Sequence, residues 1–303
     1  MRPWATVLTA PTTSGPVWMK ACAPGPDAEV GLYDLLARVT PDAALSPIAS
    51  DRERGWLLLP DGGPPLDQRF QGDADTVLAA LARVLPRYAD MQRTLASHAD
   101  AIVALGVPDM RPATMPVRFP EAVAVSRPYV ERAGTMDARE QLDRIEALEG
   151  EFAERCARLA ASPVPASLDY NDLHPGNILP GPDNHLDRVR FYDWGDSVVS
   201  HPFASLLVVL QVAALAYRAR PDDPRAVRIR DAYLEVFTDL APLVELVDIL
   251  EDACRVATVA RALIWARATG ATAHSGQETV PASDAFETLR MLLGPHPYRV
   301  EIS

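Results

Sequence analysis

The chain has 303 residues, 48% hydrophobic and 23% charged, with 29 Lys and Arg against 41 Asp and Glu, a formal net charge of −12. That composition suits a folded globular protein and excludes a disordered chain, and the acidic balance argues against a nucleic-acid partner, whose affinity would come from Lys and Arg. Cys22, Cys156 and Cys254 form no CxxC pair, so neither a zinc knuckle nor a disulfide framework is expected, only free thiols in a reducing cytoplasm. The N-terminus lacks the apolar segment of a secretory signal. The longest apolar run, 204–217, contains Ser205 and Gln211 and is too short to span a bilayer, so it is expected to form a buried helix in a cytoplasmic, membrane-free protein.

The first sixty residues read as strands with one helix between them. Thr6-Val7-Leu8-Thr9 and residues 16–21 are β-prone runs joined by a Gly-containing turn, the pattern of a hairpin. Asp27 is a candidate N-cap for a helix over 28–39. Strands are expected at 45–50 and at Trp56-Leu57-Leu58-Leu59, the latter as an apolar run buried on both faces. The Pro/Gly-rich segment 60–65 is the best candidate linker in the chain. Beyond it, apolar spacing predicts helices over 75–105 and 137–161, with a proline-bearing loop over 107–128. Further helices are expected over 202–218, 225–240 and 243–269.

Chemistry concentrates in the polar loop of 167–179, followed by a turn over 180–187, a strand at 189–192 and then Asp193-Trp194-Gly195-Asp196. Asp172 precedes Asn177 by five positions, and Asp193 follows sixteen later. The order D-x-x-x-x-N, turn, D-x-G is that of phosphoryl transfer from ATP. One carboxylate orients the acceptor hydroxyl and takes its proton, and hard oxygen donors hold Mg²⁺ against the phosphates. Asp172 fills the first role, Asn177 and Asp193 the second. Asp196 is read either as a group supporting the metal site or as an N-cap. His174 and His201 are expected to brace their segments.

These segments resemble the catalytic and metal-binding loops of the aminoglycoside phosphotransferase/choline kinase superfamily, in its bacterial phosphotransferase branch. The resemblance implies that Lys20 contacts the α- and β-phosphates, that Glu29 is its ion-pair partner, and that backbone groups of Pro60 and Gly62 meet the adenine. It implies an α+β, protein-kinase-like fold, with a small sheet-containing N-lobe over 1–62, a mainly helical C-lobe over 63–303 and ATP between them. The implied activity is ATP- and Mg²⁺-dependent transfer of the γ-phosphoryl group to a hydroxyl of an aminoglycoside, amino sugar or amino alcohol. Two departures from the family pattern stand out. Tyr170 occupies the usual position of a histidine, and only five residues precede Thr6, where the family places a glycine-rich loop. They motivate the alternative of a pseudokinase that binds without transferring. A protein kinase ranks low, because His201-Pro202-Phe203 leads straight into an apolar run and leaves no room for an activation loop.

Overall fold

The computed structural model describes residues 5–22, 28–181, 185–275 and 283–295, with the side chains of 269–275 and 283 excepted. Its N-terminal part is an antiparallel sheet of β1 (Ala5–Thr12), β2 (Gly15–Cys22), β3 (Ala49–Asp51) and β4 (Trp56–Pro60) in the order β1-β2-β4-β3, with α1 (Ala28–Val39) between β2 and β3. The hairpin closes over Thr13 and Ser14. Thr12 pairs with Gly15, whose φ of +110° is open to glycine and strained for other residues. Helix α1 has the predicted span, while its proposed cap Asp27 lies outside the described residues.

Two strand expectations change. Of the 45–50 run only Ala49 and Ser50 fall in β3, with Ile48 N–H donating to the Leu58 carbonyl at 2.7 Å just before it. Pro47 has no N–H to donate, and the Leu45 N–H turns away to bond the Phe191 carbonyl at 3.0 Å. The Trp56-to-Leu59 run is not buried on both faces. Leu57 and Leu59 are buried and Trp56 is exposed, because alternate residues of this antiparallel strand point to opposite faces and one face packs on the core.

The remainder is mainly helical: α2 (Leu66–Arg69), α3 (Ala74–Leu95), α4 (Ala99–Ala104), α5 (Met115–Ala133), α6 (Met136–Glu146), α7 (Glu149–Ala160), α8 (Leu206–Leu215), α9 (Pro224–Leu234), α10 (Leu243–Ser275) and α11 (Ser283–Arg290). Short strands β5 (Ser167–Asp169), β6 (Ile178–Leu179), β7 (Arg190–Phe191) and β8 (Val198–Ser200) lie between α7 and α8. The helices predicted over 75–105 and 137–161 are each interrupted, the first by a 3₁₀ turn at Ala96–His98 and the second by a turn at Ala147-Leu148. Asp73 starts α3, its side chain accepting from Thr76 N–H at 2.9 Å. The apolar run expected to be a buried helix is α8, with Leu206 through Leu210 and Ala213 buried. Part of the turn expected at 180–187 falls on residues 182–184, outside the described set. Among the described residues, no helix is long and apolar enough to cross a membrane.

The largest correction is α5, which occupies much of the expected loop. Pro116 sits in its first turn, where a missing N–H costs nothing. Pro120 and Pro128 lie inside the helix, each at a cost of about 3 kcal/mol relative to alanine. Burial of Met115, Phe119, Val123 and Val130 against α6, α7, α10 and α11 offsets this, since each large apolar side chain contributes about 1.5–3 kcal/mol. Local propensity pointed to a loop, and tertiary packing decided otherwise.

A buried polar node fixes where β5 enters the loop that follows it. Gln92 of α3, 1% exposed, donates from Nε2 to the carbonyls of Leu168 at 2.7 Å and Pro202 at 3.0 Å, and its Oε1 accepts from Tyr233 of α9. Ser167 donates to the Gln92 carbonyl at 2.6 Å. Gln92→Leu would strand several of these groups, and a loss of about 2–3 kcal/mol in urea unfolding is expected. A variant as stable as the parent would show that the node contributes nothing.

Candidate active site

Two small antiparallel pairs set out the site. β5 pairs with β8, Ser167 opposite Ser200, and β6 pairs with β7, Ile178 opposite Phe191. The segment after β5 therefore carries Asp172 and Asn177, and the end of β7 delivers Asp193 beside it. Asn171 and Asp193 adopt left-handed φ values of +59° and +67°. Short polar side chains tolerate that region better than most, and such outliers gather at functional sites. Asp169 holds the first bend, its Oδ1 accepting from Asn171 N–H at 2.9 Å and from Ser205 Oγ at 2.7 Å.

Asp172 and Asn177 face one another. Asn177 Nδ2 donates to the Asp172 carbonyl at 3.0 Å and stands 3.5 Å from its Oδ2. His174 Nδ1 accepts from Gly176 N–H at 3.0 Å, which places the ring proton on Nε2, 3.5 Å from Asp172 Oδ2. On the other side, Arg261 Nη2 lies 3.2 Å from Asp172 Oδ1. Burial alone would raise the Asp172 pKa, but the His174 hydrogen bond and the Arg261 charge outweigh it and hold the carboxyl below its usual range.

Lys20, Glu29 and Asp193 form a second cluster. Lys20 Nζ is 2.7 Å from Glu29 Oε1 and 2.6 Å from Asp193 Oδ1, with side chains 13%, 3% and 52% exposed respectively. Burial works to neutralise the ammonium, yet Glu29 and Asp193 prevail and raise its pKa well above the ordinary value. Gly195 leaves room for the pair: a Cβ there would lie 3.2 Å from Glu29 Oε2. Cys22 Sγ is 3.4 Å from the same Oε2, and burial, followed by the Glu29 charge, pushes its thiol up to about 12. Tyr33, one turn after Glu29 in α1, accepts from Asp193 N–H at 2.8 Å. Tyr170 is fully buried, donates its hydroxyl to the Tyr192 carbonyl and packs on Trp194 with ring centroids 4.4 Å apart, so it ties the two loops together.

A cleft of about 590 Å³ opens beside this cluster, within the range of small-molecule sites. Val7, Trp18 and Leu59 from the sheet and Leu179 from β6 form apolar walls, and Lys20 and Asp193 supply charge. Of the predicted residues, Lys20, Pro60, Gly62 and Asp193 line it, and Glu29 reaches it through Lys20. Gly62 packs directly on the Leu179 side chain, where a Cβ would collide. Among the described residues, no group of three or more His, Cys, Asp or Glu side chains could hold a metal unaided. An Asp193 carboxylate plus the Asn177 amide oxygen, left over once Nδ2 is engaged, fits Mg²⁺, which takes one or two protein oxygens alongside phosphates. Asp196 caps no helix. It sits in the turn after Trp194, and burial, then the charges of Asp172 and Asp193, raise its carboxyl to about 6.

Tyr33, Asp169 and Arg261 were not singled out in the sequence. Tyr33 had a usable signal, lying on the same helical face as Glu29 four residues on. So had Arg261, a charge inside an apolar stretch of α10. Asp169 offered none. It is fully buried, and its Oδ2 has no hydrogen-bond partner among the described residues. Burial raises its carboxyl to about 6. Against an unfolded value of about 3.9, its contribution is fully present below the unfolded pKa and lost as pH rises through the folded one. Relative to the parent chain, Asp169→Asn is expected to gain about 2 kcal/mol of stability at pH 8 over pH 4, read by urea unfolding at the two pH values. An unchanged difference would show that Asp169 is solvated.

No protein-family model and no curated protein matches the chain. Among solved structures, it is similar to an ethanolamine kinase of Plasmodium vivax, at 13% identity over 96% of this chain and 80% of that one, with a TM-score of 0.65. A choline kinase from Streptococcus pneumoniae matches at 14% identity over 93% and 89%, with a TM-score of 0.57. The GDP complex of an aminoglycoside 2′-phosphotransferase matches at 14% identity over 95% and 88%, with a TM-score of 0.56. A small antiparallel sheet, a mainly helical remainder and these likenesses together give the chain the kinase-like fold of these solved structures.

Proposed function

We propose that the protein is an ATP- and Mg²⁺-dependent phosphotransferase that moves the γ-phosphoryl group to a hydroxyl of a small molecule, of the aminoglycoside, amino-sugar or amino-alcohol kind. The observation that carries this reading is the joining of Lys20, Glu29 and Asp193, which are 173 positions apart at the extremes, at one end of an apolar-walled cleft. Residues 1–62 act as the nucleotide-binding lobe and 63–303 as the helical lobe. The adenine lies between Val7, Leu59 and Leu179, with the backbone of Pro60 and Gly62 at its edge.

Lys20 steadies the phosphates. Its contact with the half-exposed Asp193 is the one that an incoming nucleotide replaces, while buried Glu29 keeps the ammonium aimed into the cleft. Asn177 and Asp193 would hold Mg²⁺, which would supply charge neutralisation to the nucleotide phosphates. Asp172 orients the acceptor hydroxyl and takes its proton as the new O–P bond forms and the bond to the leaving ADP oxygen breaks in line. Because positioning supplies much of the effect, the low pKa of Asp172 is no obstacle. The alternative reading, a pseudokinase serving as a binding module, rests on Tyr170 in place of a histidine.

Calorimetric titration of ATP is expected to show binding that requires Mg²⁺ and is lost in Asp193→Ala. Absence of binding to the parent chain would refute the nucleotide site. Asp172→Asn is expected to retain MgATP affinity within about threefold while losing on the order of 10²–10⁴ in turnover, read as phosphate transferred or released. Full turnover in that variant would remove Asp172 from its role, and binding without turnover in the parent would favour the pseudokinase.

A further inference from the structure

We infer that Arg261 is a positioning residue for Asp172, fixing the carboxylate from the side opposite His174 and Asn177; the inference rests on the phosphotransfer reading above for its kinetic consequence but not for its geometry. Arg261 sits in the middle of α10, where Ala257, Ala260, Ala262 and Ile264 are all buried, and its own side chain is 15% exposed. A guanidinium in such surroundings is retained only if its N–H groups are satisfied. They are satisfied by two consecutive residues of the loop: Nη1 donates to the Asn171 carbonyl and Nη2 lies 3.2 Å from Asp172 Oδ1.

A planar fork gripping a backbone carbonyl and the next residue's carboxylate fixes both the loop and the side-chain torsion. A lysine ammonium, a point charge on a flexible stem, would not reproduce that geometry. The carbonyl it grips belongs to the residue at φ +59°, so the clamp also supports the strained bend. One helical turn further on, Trp265 lies with its ring centroid 5.5 Å from the Arg261 guanidinium carbon, and that ring forms part of the wall of a separate cavity of about 770 Å³ between α6, α8, α10 and α11. Arg261 thus stands between Asp172 and that cavity. His174 and Asn177 approach the other carboxylate oxygen, so removal of Arg261 leaves Oδ1 without the partner that stops rotation.

The test compares Arg261→Ala and Arg261→Lys with the parent chain, with Arg255→Gln as a control. Arg255 is an arginine of the same helix that bonds the Leu292 and Gly294 carbonyls rather than the loop. Turnover of MgATP is read as phosphate released to water or transferred to an acceptor, and crystal structures of the parent and Arg261→Ala locate the Asp172 carboxylate. Arg261→Ala is expected to lower kcat on the order of 10²-fold with KM for MgATP within about threefold. Guanidinium ion added in solution is expected to restore part of the loss, Arg261→Lys to restore less, and the Asp172 carboxylate to turn from its parent position. Parental kcat in Arg261→Ala, or an unmoved Asp172 carboxylate, would overturn the inference. A loss of kcat without guanidinium rescue, shared by Arg255→Gln, would also overturn it, as a general weakening of α10. A parent chain that binds MgATP but turns nothing over would count against the phosphotransfer reading, and the position of Asp172 in the two crystals would still decide this one.

Discussion

The buried carboxylate of Glu29 is the constraint around which the N-terminal half is organised. A charged group 3% exposed is strongly unfavourable unless a counter-charge and hydrogen bonds accompany it. Lys20 is its ion-pair partner, so β2 and α1 must keep the spacing that brings them together, and Gly195 must stay small to let the loop after β7 close over the pair. Asp193 completes the triangle from the opposite half of the chain. Its left-handed backbone is secured by Tyr33, which comes from the same helix as Glu29. One ion pair therefore registers the sheet, the first helix and the loop after β7 against one another.

The loop after β5 is held differently, by aromatic packing and hydrogen bonds together with the Arg261–Asp172 ion pair. Tyr170 lies against Trp194 and Tyr88, Tyr88 OH accepts from Tyr170 N–H at 3.0 Å, and the Tyr170 hydroxyl bonds the carbonyl just before Asp193. Tyr170 is here part of a buried aromatic brace. Its size reaches across the gap between the two loops.

The sequence was most legible where local rules and tertiary structure agree. Helix α1 and the β1–β2 hairpin follow from periodicity and turn chemistry, and the spacing of Asp172, Asn177 and Asp193 was readable because the intervening hairpin is short. The apolar run of β4 misled, since composition alone cannot say how many faces are covered. Helix α5 was hidden behind Pro116, Pro120 and Pro128, whose local penalty is overcome only by neighbours distant in sequence. Likewise Asp169 and Arg261 acquire meaning from contacts with Ser205, Asn171 and Asp172 that no local pattern encodes.

Cys22 shows what the Glu29 constraint does to its surroundings. Its thiol lies two residues from the lysine that faces the cleft, yet burial, and then the same carboxylate that holds the lysine, raise the thiol pKa to about 12. Oxidants and electrophiles attack the thiolate, and five units above neutrality the ionised fraction is on the order of one in 10⁵. Burial and the Glu29 carboxylate thereby keep the thiol beside the cleft in its protonated, weakly nucleophilic form, although it lies next to a cation that would otherwise favour the thiolate.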